Sequence, residues 1–221
     1  MILHMLLSGI SPNDVDGFKG ISDFRQIRQL AEHPKVMAIG EIGLDYYWNK
    51  ENKELQKEMF VKQIEIANEL DLPIIIHTRD VVEDAIDILK NKIPCKNKGV
   101  FHCCALNREL VKEALKLDYY ISFAGPVTFK NSKSAGDNLS VTHCVRTAKK
   151  NADEVISMVP TERLLIETDA PYLSPEPFRG KRNDSRNLKY TAEKIAKVKE
   201  MTIEEVAEVT YANAMQLFKI K

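Results

Sequence analysis

Six short apolar runs, each followed by a segment of helical period, constrain the fold of this chain more than any other feature. They occupy residues 2–8, 36–39, 73–76, 99–101, 119–123 and 164–166. None shows the clean alternation of a half-exposed strand, so each reads as a strand covered on both faces of a parallel sheet. The segments between them carry helical stripes. Phe24, Ile27 and Leu30 follow a cap at Ser22, and Pro34 stops that run. Leu55, Met59, Ile66 and Leu70 form a second stripe, and Val82, Ala85, Ile86 and Leu89 a third. Leu110, Val111, Ala114 and Leu115 follow a cap at Asn107. Two closing helices are expected at 187–200 and 203–217, the second announced by Thr202 and Glu205 in capping-box register. Strand and helix in alternation mean an α/β fold with a parallel sheet, either doubly wound or a barrel. No repeat or Gly/Ser-rich linker divides the 221 residues, so a single domain over 1–221 is expected.

Composition narrows the functional classes. The 32 basic and 32 acidic side chains cancel, so no global field draws the chain to nucleic acid or an anionic membrane, and any such attraction must be local. With 44% hydrophobic and 29% charged residues the chain is too apolar to be disordered. No apolar stretch reaches the roughly 20 residues that span a bilayer. The opening MILHMLLSGI lacks a basic n-region and a small-residue cleavage site, so a cytoplasmic protein with no membrane partner is expected. Cys95, Cys103, Cys104 and Cys144 show no CxxC spacing, which excludes a zinc ribbon or a thioredoxin-type motif and fits reduced, buried thiols.

The polar residues that close these runs suggest chemistry. Four of the six runs lead into an acid or a histidine: VMAIG into Glu41, PIII into His77, GVF into His102 and LLIET into Asp169. Singly, a histidine after a strand is a hydrogen-bonded core residue, and an aspartate before Ala-Pro is a turn residue. Four in one structural position favour a site, because barrels of parallel strands carry their active sites at strand carboxyl ends. Imidazole with carboxylate suits zinc, manganese or iron, and carboxylates also accept magnesium. In such a site Glu41 can bridge two cations while Asp169 orients or deprotonates a bound water.

The segments GEIGLDYYW, PIIIHTRD, GVFHC, VTFKN, LLIETDAPYLSP and RGKRN, in this order, resemble the TatD family of metal-dependent deoxyribonucleases. The resemblance runs from about Ser8 to the last helix. It implies a TIM-like (β/α) barrel with one or two divalent ions (magnesium, manganese or zinc) that hydrolyses DNA, commonly trimming single strands from a 3′ end. By motif position Glu41 is the bridging carboxylate, His77 and His102 are ligands of one metal, and Asp169 is a ligand of the other and the general base. Glu41 and Asp169 are thus the expected catalytic pair. The basic segment with Arg179, Lys181, Arg182, Arg186 and Lys189 is expected to hold phosphates through Arg179, Lys181 and Arg182. Trp48 is the candidate base contact. Tyr46, Tyr47, Tyr172 and Phe178 read either as stacking residues or as packing.

Three departures from the family pattern carry expectations of their own. The opening His-x-His pair is missing, with His4 alone on a strand that matches the family's third, so about six of eight strand–helix units are expected. Gly9-Ile10-Ser11-Pro12 has serine where the family has histidine. The stretch 132–151 looks inserted, and His143, Cys144, Lys149 and Lys150 within it read as non-functional. Two other readings stand beside the nuclease: an ester or amide hydrolase on the same barrel, and a truncated non-catalytic remnant.

Overall fold

The computed structural model describes residues 6–104, 106–129 and 148–220. His4, His143, Cys144, residues 132–147 of the expected insertion and the side chains of Lys149 and Lys150 lie outside the described residues. The expected alternation is present: β1 (Leu6–Ser8), α1 (Ile21–Ala31), β2 (Val36–Asp45), α2 (Lys53–Glu69), β3 (Ile74–Arg79), α3 (Val82–Asp87), β4 (Gly99–Phe101), α4 (Arg108–Lys116), β5 (Tyr120–Phe123), α5 (Ala148–Met158), β6 (Leu164–Ile166), α6 (Leu188–Lys199) and α7 (Ile203–Leu217). Two strands run on past their apolar runs. β2 continues through Glu41 to Asp45, and β3 through His77 to Arg79, so both residues lie within strands rather than just beyond them.

The chain divides into two compact units. The first comprises Met1–His102, Lys116–Tyr120 and Ala214–Lys221. In it β1, β2, β3 and β4 pair in parallel and in chain order, with Leu7 opposite Ala38, Ile39 opposite Ile74, and Ile76 opposite Phe101. Ala38, Ile39, Ile42 and Leu44 of β2, Ile74 and Ile76 of β3, and Phe60 and Ile64 of α2 are fully buried, which explains why these strands read as unbroken apolar runs. The second unit comprises Cys103–Leu115 and Ile121–Asn213. There β5 pairs in parallel with β6, Ile121 opposite Leu164, over a core that includes Phe123, Val155, Ile156 and Ile195. Among the described residues no helix is long and apolar enough to cross a membrane.

Helix ends follow local chemistry. The Asn107 side chain accepts from the amides of Glu109 and Leu110 at 3.0 Å, capping α4. Thr202 and Glu205 form the expected reciprocal box: the Glu205 amide donates to Thr202 Oγ1 at 3.1 Å, and the Thr202 amide to Glu205 Oε2 at 2.7 Å. At α1 the cap differs from expectation. Gly20, at φ 82°, precedes the helix, and the carboxylate of Asp23 accepts from the Lys19 amide at 2.7 Å, so the helix begins at Ile21 and Ser22 lies inside it.

One core residue of the first unit is imperfectly satisfied. Tyr119 packs edge-on against Phe101, with ring centroids 5.6 Å apart, but its hydroxyl is buried with no hydrogen-bond partner among the described residues. Burial also drives that phenol's pKa upward. Removing the hydroxyl while keeping the ring is therefore expected to leave stability unchanged or raise it by about 1 kcal/mol, whereas Phe101→Ala is expected to cost about 3–5 kcal/mol. Urea unfolding of Tyr119→Phe and Phe101→Ala checks both, and a marked loss in Tyr119→Phe would show that the hydroxyl is paired.

Candidate metal centre

Glu41 owes its position to an irregularity in strand pairing. Between the pairs Ile39–Ile74 and Ile42–Ile76, β2 spends one more residue than β3, a bulge of the kind that re-aims a side chain. Glycines flank it for steric reasons. A Cβ on Gly40 would lie 2.7 Å from Cβ of Ile75. Gly43 has φ 135°, and a Cβ there would lie 2.2 Å from the carbonyl oxygen of His77, the residue opposite it in register. β2 therefore closes on β3 at His77 only because position 43 has no side chain. His102 follows β4 directly, and its amide donates to the Ile76 carbonyl at 3.0 Å, which continues the strand register into the site.

These three elements bring Glu41, His77 and His102 together, with one ligand atom from each within 4.8 Å of the others. His77 Nδ1 is 3.2 Å from His102 Nε2, and His102 Nε2 is 3.4 Å from Glu41 Oε2. Two donors each ~2.1 Å from one ion at a near-tetrahedral angle are separated by about this much, so the set fits a single divalent cation. The side chain of His102 is 9% exposed, that of His77 22% and that of Glu41 40%, so the group opens to solvent on the Glu41 side.

Behind the set lies Asp45, which is fully buried. Its Oδ2 is 3.0 Å from His77 Nε2, and its Oδ1 accepts from the amides of Tyr47 and Trp48, each at 2.9 Å. Burial pushes the Asp45 carboxyl up, but the His77 hydrogen bond and the two amides outweigh it and hold the group below its ordinary value. An ionised carboxylate only accepts, so Nε2 of His77 carries the proton and Nδ1 offers its lone pair toward His102. Gln56 of α2, also fully buried, accepts from the Asp45 amide at 2.8 Å and donates to the carbonyls of Asp45 at 3.2 Å and Asn49 at 2.8 Å. The end of β2 is thereby clamped to a helix.

The loop after Asp45 carries aromatic side chains. Trp48 is 60% exposed and meets Tyr47 edge-on at 4.8 Å, as its assignment to a loop required. Tyr46 is less available, because its hydroxyl donates to Asp84 at 2.5 Å and its ring lies under Lys53.

The remaining candidates lie in the second unit. Asp169 is half-buried in the turn after β6, its carbonyl accepting from the Tyr172 amide at 2.7 Å. Arg179, Lys181 and Arg182 are exposed on a loop shaped by Asn183, whose side chain donates to the Tyr172 carbonyl at 2.7 Å, and by Ser174, which donates to the Lys181 carbonyl at 2.6 Å. Arg186 is committed to Asp184 at 2.8 Å; this pairing draws the Asp184 carboxyl down to about 2. Phe178 packs edge-on against Tyr190, so it serves packing, while Tyr172 is 70% exposed.

Sequence reasoning missed Asp45, Gln56 and Glu167. The Glu167 carboxylate accepts from the Cys103 amide at 2.6 Å and from Ser122 Oγ at 2.7 Å, which fixes the residue after His102. Asp45 and Glu167 both stand in the quoted motifs, one four residues after Glu41 and the other two before Asp169.

The family model described as TatD related DNase matches residues 3–219. The chain is 48% identical over 198 residues to YabD of Bacillus subtilis strain 168, described as an uncharacterized metal-dependent hydrolase, covering 90% of this chain and 71% of that protein. It is 40% identical over 198 residues to YcfH of Escherichia coli K12, which bears the same description, covering 90% of this chain and 68% of that one. Among solved structures, the TatD homologue YjjV of E. coli K12 superposes with a TM-score of 0.84 at 25% identity over 98% of this chain and 77% of that chain. A TatD family hydrolase from Entamoeba histolytica shares the fold, with a TM-score of 0.78 at 23% identity over 96% and 74% of the two chains. The expected α/β, TIM-like barrel class agrees with these neighbours.

Two expectations follow from the geometry. Calorimetric titration with manganese or zinc is expected to show binding that His77→Ala or His102→Ala weakens by at least about tenfold; equal affinity in the variants would remove them from the ligand set. Gly43→Ala forces a Cβ against the His77 carbonyl and is expected to destabilise the fold by more than about 1 kcal/mol in urea unfolding. An unchanged midpoint would mean that the β2–β3 approach is not tight.

Proposed function

Because the chain belongs to the family of TatD-related DNases, we propose that it hydrolyses phosphodiester bonds of DNA with a divalent cation held by Glu41, His77 and His102. Its relatives are named metal-dependent hydrolases, and this chain shares that coarser activity. The observation that carries the reading is the convergence of two imidazoles and a carboxylate on one point, with the His77 tautomer set by Asp45. Magnesium, manganese and zinc all suit the donors. A cation bound there supplies Lewis acidity toward a phosphoryl oxygen and lowers the pKa of a bound water.

The chain's own residues do the rest. Glu41, the most exposed of the three ligands, faces the side from which substrate approaches. Asp169, by its place in LLIETDAPYLSP, serves as a further metal ligand and as the general base that takes the proton of the attacking water. Arg179, Lys181 and Arg182 contact backbone phosphates, a positioning role that long exposed cations perform without reading sequence. Trp48 stacks on a base of a single-stranded 3′ end.

Cleavage of a 3′-labelled single-stranded oligonucleotide, with magnesium or manganese, tests the reading. Trimming is expected to require the cation and to fall by about 100-fold or more in His102→Ala. Replacing Arg179, Lys181 and Arg182 together by Ala is expected to raise KM for the single-stranded DNA and flatten its salt dependence, by about 0.7 of a unit of log–log slope for each phosphate no longer neutralised. Cation-dependent turnover of a small ester or amide without any cleavage of DNA would overturn the nuclease in favour of the other hydrolase chemistry.

A further inference from the structure

Arg79 closes β3 two residues beyond His77, so its side chain leaves the strand on the same face as the His77 imidazole. In the parallel register it stands opposite Asp45, and its carbonyl accepts from the Tyr46 amide at 3.0 Å, which ties the loop after β2 to this residue. Its guanidinium carbon lies 3.8 Å from the centroid of the Tyr47 ring and 5.3 Å from that of Trp48. Among the described residues no carboxylate pairs with it. Three other arginines are paired with carboxylates, Arg28 with Glu69, Arg108 with Glu154 and Arg186 with Asp184, while Arg179, like Arg79, lies over an aromatic ring, that of Phe129. A half-buried guanidinium without a counter-ion is costly to keep, and a cation–π contact fixes its position without neutralising its charge.

We propose that Arg79 is a phosphate-binding residue of this site, held by Tyr47 so that its planar fork meets two oxygens of the substrate's phosphoryl group beside the Glu41–His77–His102 centre. The proposal rests on the reading of that centre as the metal site of a phosphodiester hydrolase, and names a residue through which it would select phosphoryl substrates. Arginine suits the task because its donors match the oxygen spacing of phosphate bidentately and its charge is permanent. Asp45 sets the geometry on both sides: one oxygen orients His77, and the other holds the amides of Tyr47 and Trp48, the two rings beneath the guanidinium.

Trp48 is the chain's single tryptophan, so its fluorescence reports on this place. The full chain, with EDTA present to prevent hydrolysis, is titrated with inorganic phosphate, with a short oligothymidylate and with a dipeptide bearing a free carboxylate, at fixed ionic strength. Affinities for Arg79→Ala and Arg79→Lys are measured in parallel by calorimetry, with circular dichroism to verify folding and a separate manganese titration to verify the metal centre. The expected result is that phosphate and oligothymidylate both perturb Trp48, that Arg79→Ala raises both dissociation constants by about tenfold or more, and that Arg79→Lys falls between. Manganese affinity stays that of the parent in both variants. Arg79-dependent binding of phosphate without binding of the oligonucleotide would support the Arg79 assignment while overturning DNA as the substrate. Unchanged affinities in a folded Arg79→Ala, no phosphate binding by the parent, or a preference for the carboxylate probe would each overturn the phosphate assignment.

Discussion

The buried carboxylate of Asp45 ties together two parts of the first unit, the imidazole of His77 on β3 and the loop after β2. It sits at the end of β2 with every oxygen committed, one to the imidazole of His77 and the other to two successive backbone amides. A charge removed from water in this way is stable only while those donors stay in place, so the carboxylate and its partners form one all-or-none arrangement. The imidazole that it orients is a metal ligand in the proposed chemistry, and the amides that it holds belong to the aromatic residues that carry Arg79. Metal centre and phosphate-binding arginine are in this sense two consequences of one hydrogen-bonded group.

That group is in turn placed by backbone geometry. The extra residue in β2 between Ile39 and Ile42 shifts the alternation of side chains, so Glu41 lies beside His77 and His102 and Asp45 opposite Arg79. Gly43 lets the two strands meet at His77, and Gln56 fixes the strand end to α2. Parallel strands then do what they commonly do in metal hydrolases of this architecture, presenting ligands from several successive strands toward one end. The preorganisation lies in the strands and the buried amide and carboxylate, not in the loops, which suits a centre whose donors must stay within a few tenths of an ångström.

Much of this was legible in the sequence because it depends on local pattern. The strand–helix alternation, the Asn107 cap and the Thr202–Glu205 box are encoded within a few residues of one another. Glu41, His77 and His102 stood out because each follows an apolar run and because the motifs around them are distinctive. What escaped notice depends on partners distant in sequence. The bulge at Gly40–Glu41 exists only relative to β3, and the two glycines disguised β2 as a strand that stops at Ile39. Gln56 reads as a polar position in a helical stripe yet is fully buried, since its amide completes a strand end 11 residues earlier. Asp45 reads as a turn residue until the strand 32 residues later is set beside it. Arg79 reads as a solvated charge until the rings beneath it are seen.

The centre depends most directly on Asp45 acting through both of its oxygens, and comparing Asp45→Asn with Asp45→Ala tests it. Manganese or zinc affinity reports on His77, and hydrogen exchange at the amides of Tyr47 and Trp48 reports on the loop. Asparagine keeps an oxygen for the two amides but turns an N–H toward His77, which reverses the imidazole tautomer and puts a proton on the ligating nitrogen. Asp45→Asn is therefore expected to keep amide protection while losing about 10–100-fold in metal affinity, and Asp45→Ala to lose both. Metal affinity unchanged in Asp45→Asn, or amide protection unchanged in Asp45→Ala, would contradict the claim that this carboxylate holds the centre together.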